Sequence, residues 1–224
     1  MELNRKKSDL IAIKVWDSLT RFLHWWIAIA VLLQLATGTI FWLWGSQISN
    51  SMMFDLNLPH FYIGYSLATA IAVRIILLFI GPETARWSDF LPVNSHKRSI
   101  WKRTLSYYKS FCRAEFPRTL GHNTFAGPVY LVFYLIMAVQ VGIGIYLSFL
   151  PGGTTQMDSP WMTVHKYIFF ALIGFILAHL IAVLIREIKG KEYITSSMIN
   201  GYKIFSQSDY DKIITQRLKD DVDS

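Results

Sequence analysis

The sequence predicts an all-α integral membrane four-helix bundle with both termini on the cytoplasmic side. Three observations lead there. Four apolar runs are each long enough to cross a bilayer. Only 17% of the 224 residues are charged and 53% are hydrophobic, where a soluble domain carries about 25% charged residues. The basic residues, finally, gather in alternate connections. A hydrocarbon core about 30 Å thick takes roughly 20 helical residues, and residues 22–44, 61–80, 126–150 and 161–185 meet that length. Helix is the form each run must take, because lipid offers no partner to an unbonded backbone N–H or C=O.

The first run follows Arg5, Lys6 and Lys7 but begins only at Phe22, continues to Trp44 and has no small-residue cleavage site. It therefore reads as a retained span and not as a signal peptide. Trp42, Trp44, Trp87 and Trp161 fall at or near run ends, where amphipathic rings favour the membrane interface. Residues 1–205 form a single transmembrane domain on this reading, and residues 206–224 a polar cytoplasmic tail without further signal.

Direction follows from charge. Lys and Arg number 5 in residues 1–21, 8 in 81–125 and 7 in 186–224, with none in 45–60 or 150–164. Thus 20 of the 22 bases lie on one side, and the positive-inside rule makes that side cytoplasmic. The location expected is a bacterial cytoplasmic (inner) membrane, multi-pass, with lipid and not nucleic acid as the surrounding partner, so the net charge of +7 needs no nucleic-acid explanation. The long connection over 81–125 is expected to carry structure of its own. Trp101, Leu105, Tyr108 and Cys112 recur at helical spacing among Lys102, Arg103, Lys109 and Arg113. That pattern fits a basic amphipathic helix on the membrane surface or a solvated cytoplasmic helix.

Cys112 is the one cysteine; a Cys-x-x-Cys-His attachment motif is absent, so any haem must be held non-covalently. The histidines carry the chemistry. Four of the six lie in or at the edge of spans: His24 in the first, His60 at the start of the second, His165 and His179 in the fourth. Ionisable groups within a bilayer are costly and by default suggest function. His165 and His179 are separated by about four helical turns, so they share a helix face at a distance of about 21 Å. Antiparallel threading sets His60 level with His165 and His24 level with His179. Two imidazoles from different helices then meet at each of two depths, as bundle-core cofactor sites are built. Bis-histidine ligation leaves iron no open position and suits electron transfer.

Two further offsets repeat that interval. Gly38 follows His24 by about four helical turns, where a bare backbone gives either clearance for a macrocycle or close helix packing. Arg74 follows His60 by the same interval, placed to hold a haem propionate through two parallel hydrogen bonds or to snorkel to the interface. Lys166, beside His165, is placed to do the same at the outer pair. Quinone chemistry moves two electrons and two protons, so a proton-exchanging group is expected near the inner pair. His122, Asn123 and Arg21 are the candidates, with helix capping as the other use of His122 and Asn123.

The runs WDSLTRFLHWW, HFYIGY, GHNTFAG, HKYIFFALIGFILAH and REIKGKEYITSSMINGYK resemble the b-type cytochrome subunit of nickel-iron hydrogenases. That subunit lies within a superfamily of four-helix dihaem membrane cytochromes b that includes formate dehydrogenase gamma subunits. The resemblance covers about Val15 to Lys203. It implies two non-covalent haem b groups, the outer on His60 and His165 and the inner on His24 and His179. It also implies electrons entering from the iron-sulfur subunit of a periplasmic hydrogenase, which this chain anchors with its large subunit, and leaving to membrane quinone. Thr124 and Met162 stand where that family often has Pro and His, and the WDSLTR opening also occurs in relatives paired with c-type cytochromes. The second reading is therefore a quinol-oxidising cytochrome b that donates electrons to a multihaem c-type cytochrome or another periplasmic redox protein. A transporter should show repeats and broken helices at midplane, which the sequence lacks; a cofactor-free anchor would leave the paired histidines unexplained.

Overall fold

The structure is a computed structural model and describes residues 10–45, 47, 50–91, 126–151, 158–188 and 193–222. In chain order these form β1 (Leu10–Lys14), α1 (Ser18–Trp44), α2 (Asn50–Ile80), a 3-10 turn (Glu83–Ala85), α3 (Trp87–Phe90), α4 (Ala126–Ser148), α5 (Pro160–Ile188), α6 (Ile194–Asn200), β2 (Tyr202–Ser206) and α7 (Gln207–Val222). The chain divides into two compact units.

The larger helices α1, α2, α4 and α5 are the four long and apolar enough to cross a membrane among the described residues. Asp17 starts α1: its carboxylate accepts the Thr20 backbone N–H at 2.9 Å, satisfying a donor that the first turn cannot pair internally. Pro160 opens α5, where its missing N–H costs nothing and its fixed φ suits the helix. Arg186 stands in the last turn of α5, opposite the partial negative charge of the helix dipole.

One unit comprises Phe22–Ile80 and Leu131–Ile181. Leu23, Ile27, Ala30 and Val31 are buried on α1 at the spacing of a single helical stripe. Leu67, Ala70 and Ile71 on α2, Met137 and Ile143 on α4 and Leu172 on α5 are buried with them. Polar and aromatic contacts join the helices: Trp26 Nε1 donates to Ser66 Oγ at 2.9 Å, Tyr65 and Ser148 share a 2.7 Å hydrogen bond, and Phe133 stacks on Phe175 at 4.4 Å. Ile29, Leu32, Leu33, Ile76, Phe79, Val132, Leu135, Leu177 and Leu180 are all exposed. An apolar exterior on that scale is what a lipid solvent requires and what water would penalise.

The other unit comprises the described parts of Met1–Arg21, Gly81–Tyr130 and Ala182–Ser224. Here β1 and β2 pair antiparallel, Leu10 opposite Ser206 through Lys14 opposite Tyr202, so the two ends of the sequence are joined. The turn between α6 and β2 is set by Gly201, whose φ of 88° belongs to the left-handed region that favours glycine. Its carbonyl accepts from Val15 N at 2.9 Å and Trp16 N at 3.1 Å. Lys203 Nζ lies 5.3 Å from the Trp16 ring centre, and Trp16, Ser197 and Phe205 are buried.

The four expected spans are all present as helices. The second differs most: α2 begins at Asn50 and not at residue 61, so His60 stands well inside the helix. Pro59 lies within α2, where it removes the N–H that would have bonded the preceding turn and sets its ring against the carbonyl four residues earlier. The stretch 206–224, read as a tail without signal, contributes α7 over Gln207–Val222, and β2 ends at Ser206 just before it. The expected amphipathic helix around Trp101, Leu105, Tyr108 and Cys112 lies outside the described residues, as do His122 and Asn123.

Candidate functional site

Three of the four helices in the first unit carry the histidines: His24 on α1, His60 on α2, His165 and His179 on α5. The rings of His60 and His165 face one another from different helices with centroids 6.5 Å apart and planes inclined at 72°. His24 and His179 lie within electrostatic range of each other. The structure therefore brings His60 and His165 together as one of the two expected pairs, and His165 and His179 stand on one helix. All four are partly buried.

The His60–His165 pair is closely supported. Thr37 Oγ1 lies 2.7 Å from His60 Nδ1, and Gln34 Nε2 donates to the His60 carbonyl at 2.6 Å. Gly64, one helical turn after His60, leaves space for that amide, since a Cβ there would stand 3.2 Å from Gln34 Nε2. On the other side Gln140 Nε2 donates to the His165 carbonyl at 3.2 Å, and a Cβ on Gly144 would lie 3.4 Å from His165 Cε1. The His60 ring also meets Phe41 edge-on at 5.5 Å. Near the second pair, Phe175 lies parallel to His179 at 6.3 Å and stacks in turn on Phe133.

The donor set fits a haem. Two imidazoles on opposite sides of one metal, each with a metal–nitrogen bond of roughly 2.0 Å, put their ring centres about 6.3 Å apart; His60 and His165 stand at 6.5 Å. Among the described residues no three His, Cys, Asp or Glu side chains converge as a metal site, so each pair offers two protein donors, the number an axial set needs. His165 Nδ1 is buried without a hydrogen-bond partner, a polar atom that the surrounding apolar helices leave unmet.

The other expected residues have varied positions. Arg74 is 3% exposed, and its Nε donates to Tyr134 Oη at 3.2 Å with the guanidinium 5.3 Å from that ring centre. The side chain thus points into the unit, which does not fit snorkelling. Gly38 packs against a side chain: a Cβ there would come within 2.9 Å of Phe169, the contact that close helix packing needs. Lys166 is exposed on α5. Arg21, expected near quinone, belongs to the other unit, where it donates to the Ile199 carbonyl of α6 and, within α1, to Ser18 Oγ at 3.1 Å. Thr37, Gln34, Gln140, Gly64 and Gly144 were not singled out from sequence. The two glutamines carried a usable signal, because an uncharged amide inside an apolar span needs a partner on a neighbouring helix.

Comparison with known proteins gives one family model, described as prokaryotic cytochrome b561, which matches residues 15–201. Among individual relatives, the chain is 25% identical over 213 residues to a protein of Bradyrhizobium diazoefficiens named probable Ni/Fe-hydrogenase B-type cytochrome subunit, with 85% of each chain covered. A protein of the same name from Cupriavidus necator is 24% identical, over 85% of this chain and 86% of the relative. The probable Ni/Fe-hydrogenase 1 B-type cytochrome subunit of Escherichia coli K12 is 20% identical, over 90% of this chain and 94% of the relative. No solved structure matches significantly.

Proposed function

The chain belongs to the prokaryotic cytochrome b561 family, and from that membership we propose that it is the membrane subunit carrying electrons between a periplasmic nickel-iron hydrogenase and quinone. As a b-type cytochrome it uses haem b. On this reading there are two, one held by His60 and His165 and the other by His24 and His179. The observation that carries it is the pair of imidazoles 6.5 Å apart, one of them on a helix that carries a second histidine, His179. When bound, haem supplies reversible one-electron transfer, and the protein supplies position, insulation and tuning.

The residues have distinct tasks. Each imidazole holds its site through one nitrogen while its other nitrogen is left to be oriented by the protein. Arg74, kept in place by Tyr134, follows His60 by about four helical turns and is the candidate for holding a propionate of the inner haem. Gln34 and Gln140 tie the two histidine backbones to neighbouring helices. Two centres about 21 Å apart along α5 reach most of the way across a core about 30 Å thick. The basic segments put both termini in the cytoplasm of a bacterium and the His60–His165 pair toward the periplasm, nearer a hydrogenase small subunit. His122 and Asn123 remain the candidates for proton exchange with quinone at the other side.

The hydrogenase partner is supported by the names of the relatives. Isolation of the native complex tests it: hydrogenase small and large subunits should co-purify, and hydrogen should reduce the b-type spectrum. A multihaem c-type cytochrome in their place, reduced by quinol through this chain, would replace the reading with a quinol-oxidising one.

A further inference from the structure

Thr37 is a helical threonine whose hydroxyl has more neighbours than one proton can serve. Its Oγ1 lies 3.0 Å from the Leu33 carbonyl, 3.0 Å from the Gln34 carbonyl and 2.7 Å from His60 Nδ1. A hydroxyl has a single proton to donate and two lone pairs with which to accept. Both carbonyls can only accept, and back-bonding to the carbonyls of the preceding turn is the usual habit of threonine in a helix. A His60 that ligates iron through Nε2 carries its proton on Nδ1, so on that assignment the Thr37 proton goes to α1 and Oγ1 accepts from His60 Nδ1–H. His60 is thereby held with its proton on Nδ1, which leaves the Nε2 lone pair free.

We propose that Thr37 is a positioning residue for the His60–His165 haem, fixing the His60 tautomer and ring and lowering the potential of that haem. This rests on the ligand assignment above. An acceptor on Nδ1–H makes the imidazole a more electron-rich ligand, and an electron-rich axial ligand favours the ferric state. The proton stays on Nδ1 throughout; only the electron reaches or leaves the iron.

The test is a spectroelectrochemical titration of the purified, haem-loaded chain and three variants. His60→Ala identifies which component belongs to this pair. In Thr37→Val that component should move to higher potential by a three- to tenfold change in the ferric/ferrous equilibrium, where tenfold is about 59 mV for one electron. The other component should not move, and Thr37→Ser, which keeps the hydroxyl, should titrate as the parent does. Should the valine variant fail to assemble, Thr37→Ala removes the same acceptor and is read in the same way. Unchanged potentials in the valine or alanine variant would overturn the proposal, as would a serine variant displaced as far as the valine one. A parent protein that binds no haem would defeat the ligand assignment itself, a different and recognisable failure.

Discussion

Arginine inside an apolar span costs about 2.5–3.5 kcal/mol on insertion scales when it lies near the centre, so its partners reveal its use. Arg74 is buried, and Tyr134 meets it with both hydroxyl and ring, an arrangement that fixes the guanidinium inside the unit. A charge-assisted hydrogen bond of this kind contributes about 1.5–3 kcal/mol. We expect Arg74→Leu to weaken haem retention at the His24–His179 pair roughly ten- to hundredfold or to displace its potential. Tyr134→Phe should have a smaller effect of the same kind. Redox titration with haem quantification checks this, and unaltered curves in the leucine variant would restrict Arg74 to packing. The ionisable residues were legible in the sequence because charge and imidazole stand out in a run of Leu, Ile and Phe. Thr37 was not, since a hydroxyl that can bond its own helix looks self-sufficient until the facing ring is seen.

Element boundaries show where apolar patterning stops informing. The cores of all four spans follow from hydropathy alone, but α2 starts at Asn50 because a helix can continue through Asp55, Asn57 and Pro59, residues that lower the apolar signal before His60. The pairing of β1 with β2 joins residues almost the whole chain apart, and no local pattern reports such a contact. Gly201 is where that ribbon is most sensitive. A Cβ there would stand 2.7 Å from the Trp16 carbonyl oxygen on top of the left-handed φ. We expect Gly201→Ala to loosen the ribbon by about 1–3 kcal/mol, seen as faster amide exchange over Leu10–Lys14 and Tyr202–Ser206. Exchange at the parent rate would mean that the turn relaxes without cost.

For the whole molecule, the membrane class and the four spans were readable from sequence, as was the approach of His60 to His165, because lipid imposes simple rules on length, charge and buried polarity. Support around His60 and His165 was not readable: Gln34, Gln140, Gly64 and Gly144 act across helices, and their register depends on packing that a single sequence does not state. On the proposed reading, two separate imidazole pairs would pass electrons lengthwise, which would give the spacing of His165 and His179 on α5 its use. The most direct measurement is haem stoichiometry with an optical redox spectrum for the purified chain and its His165→Ala variant. We expect about two low-spin b haems per parent chain, each with two axial imidazoles, and about one in the variant. A colourless parent, or a variant that keeps every haem of the parent, would contradict the paired-imidazole assignment.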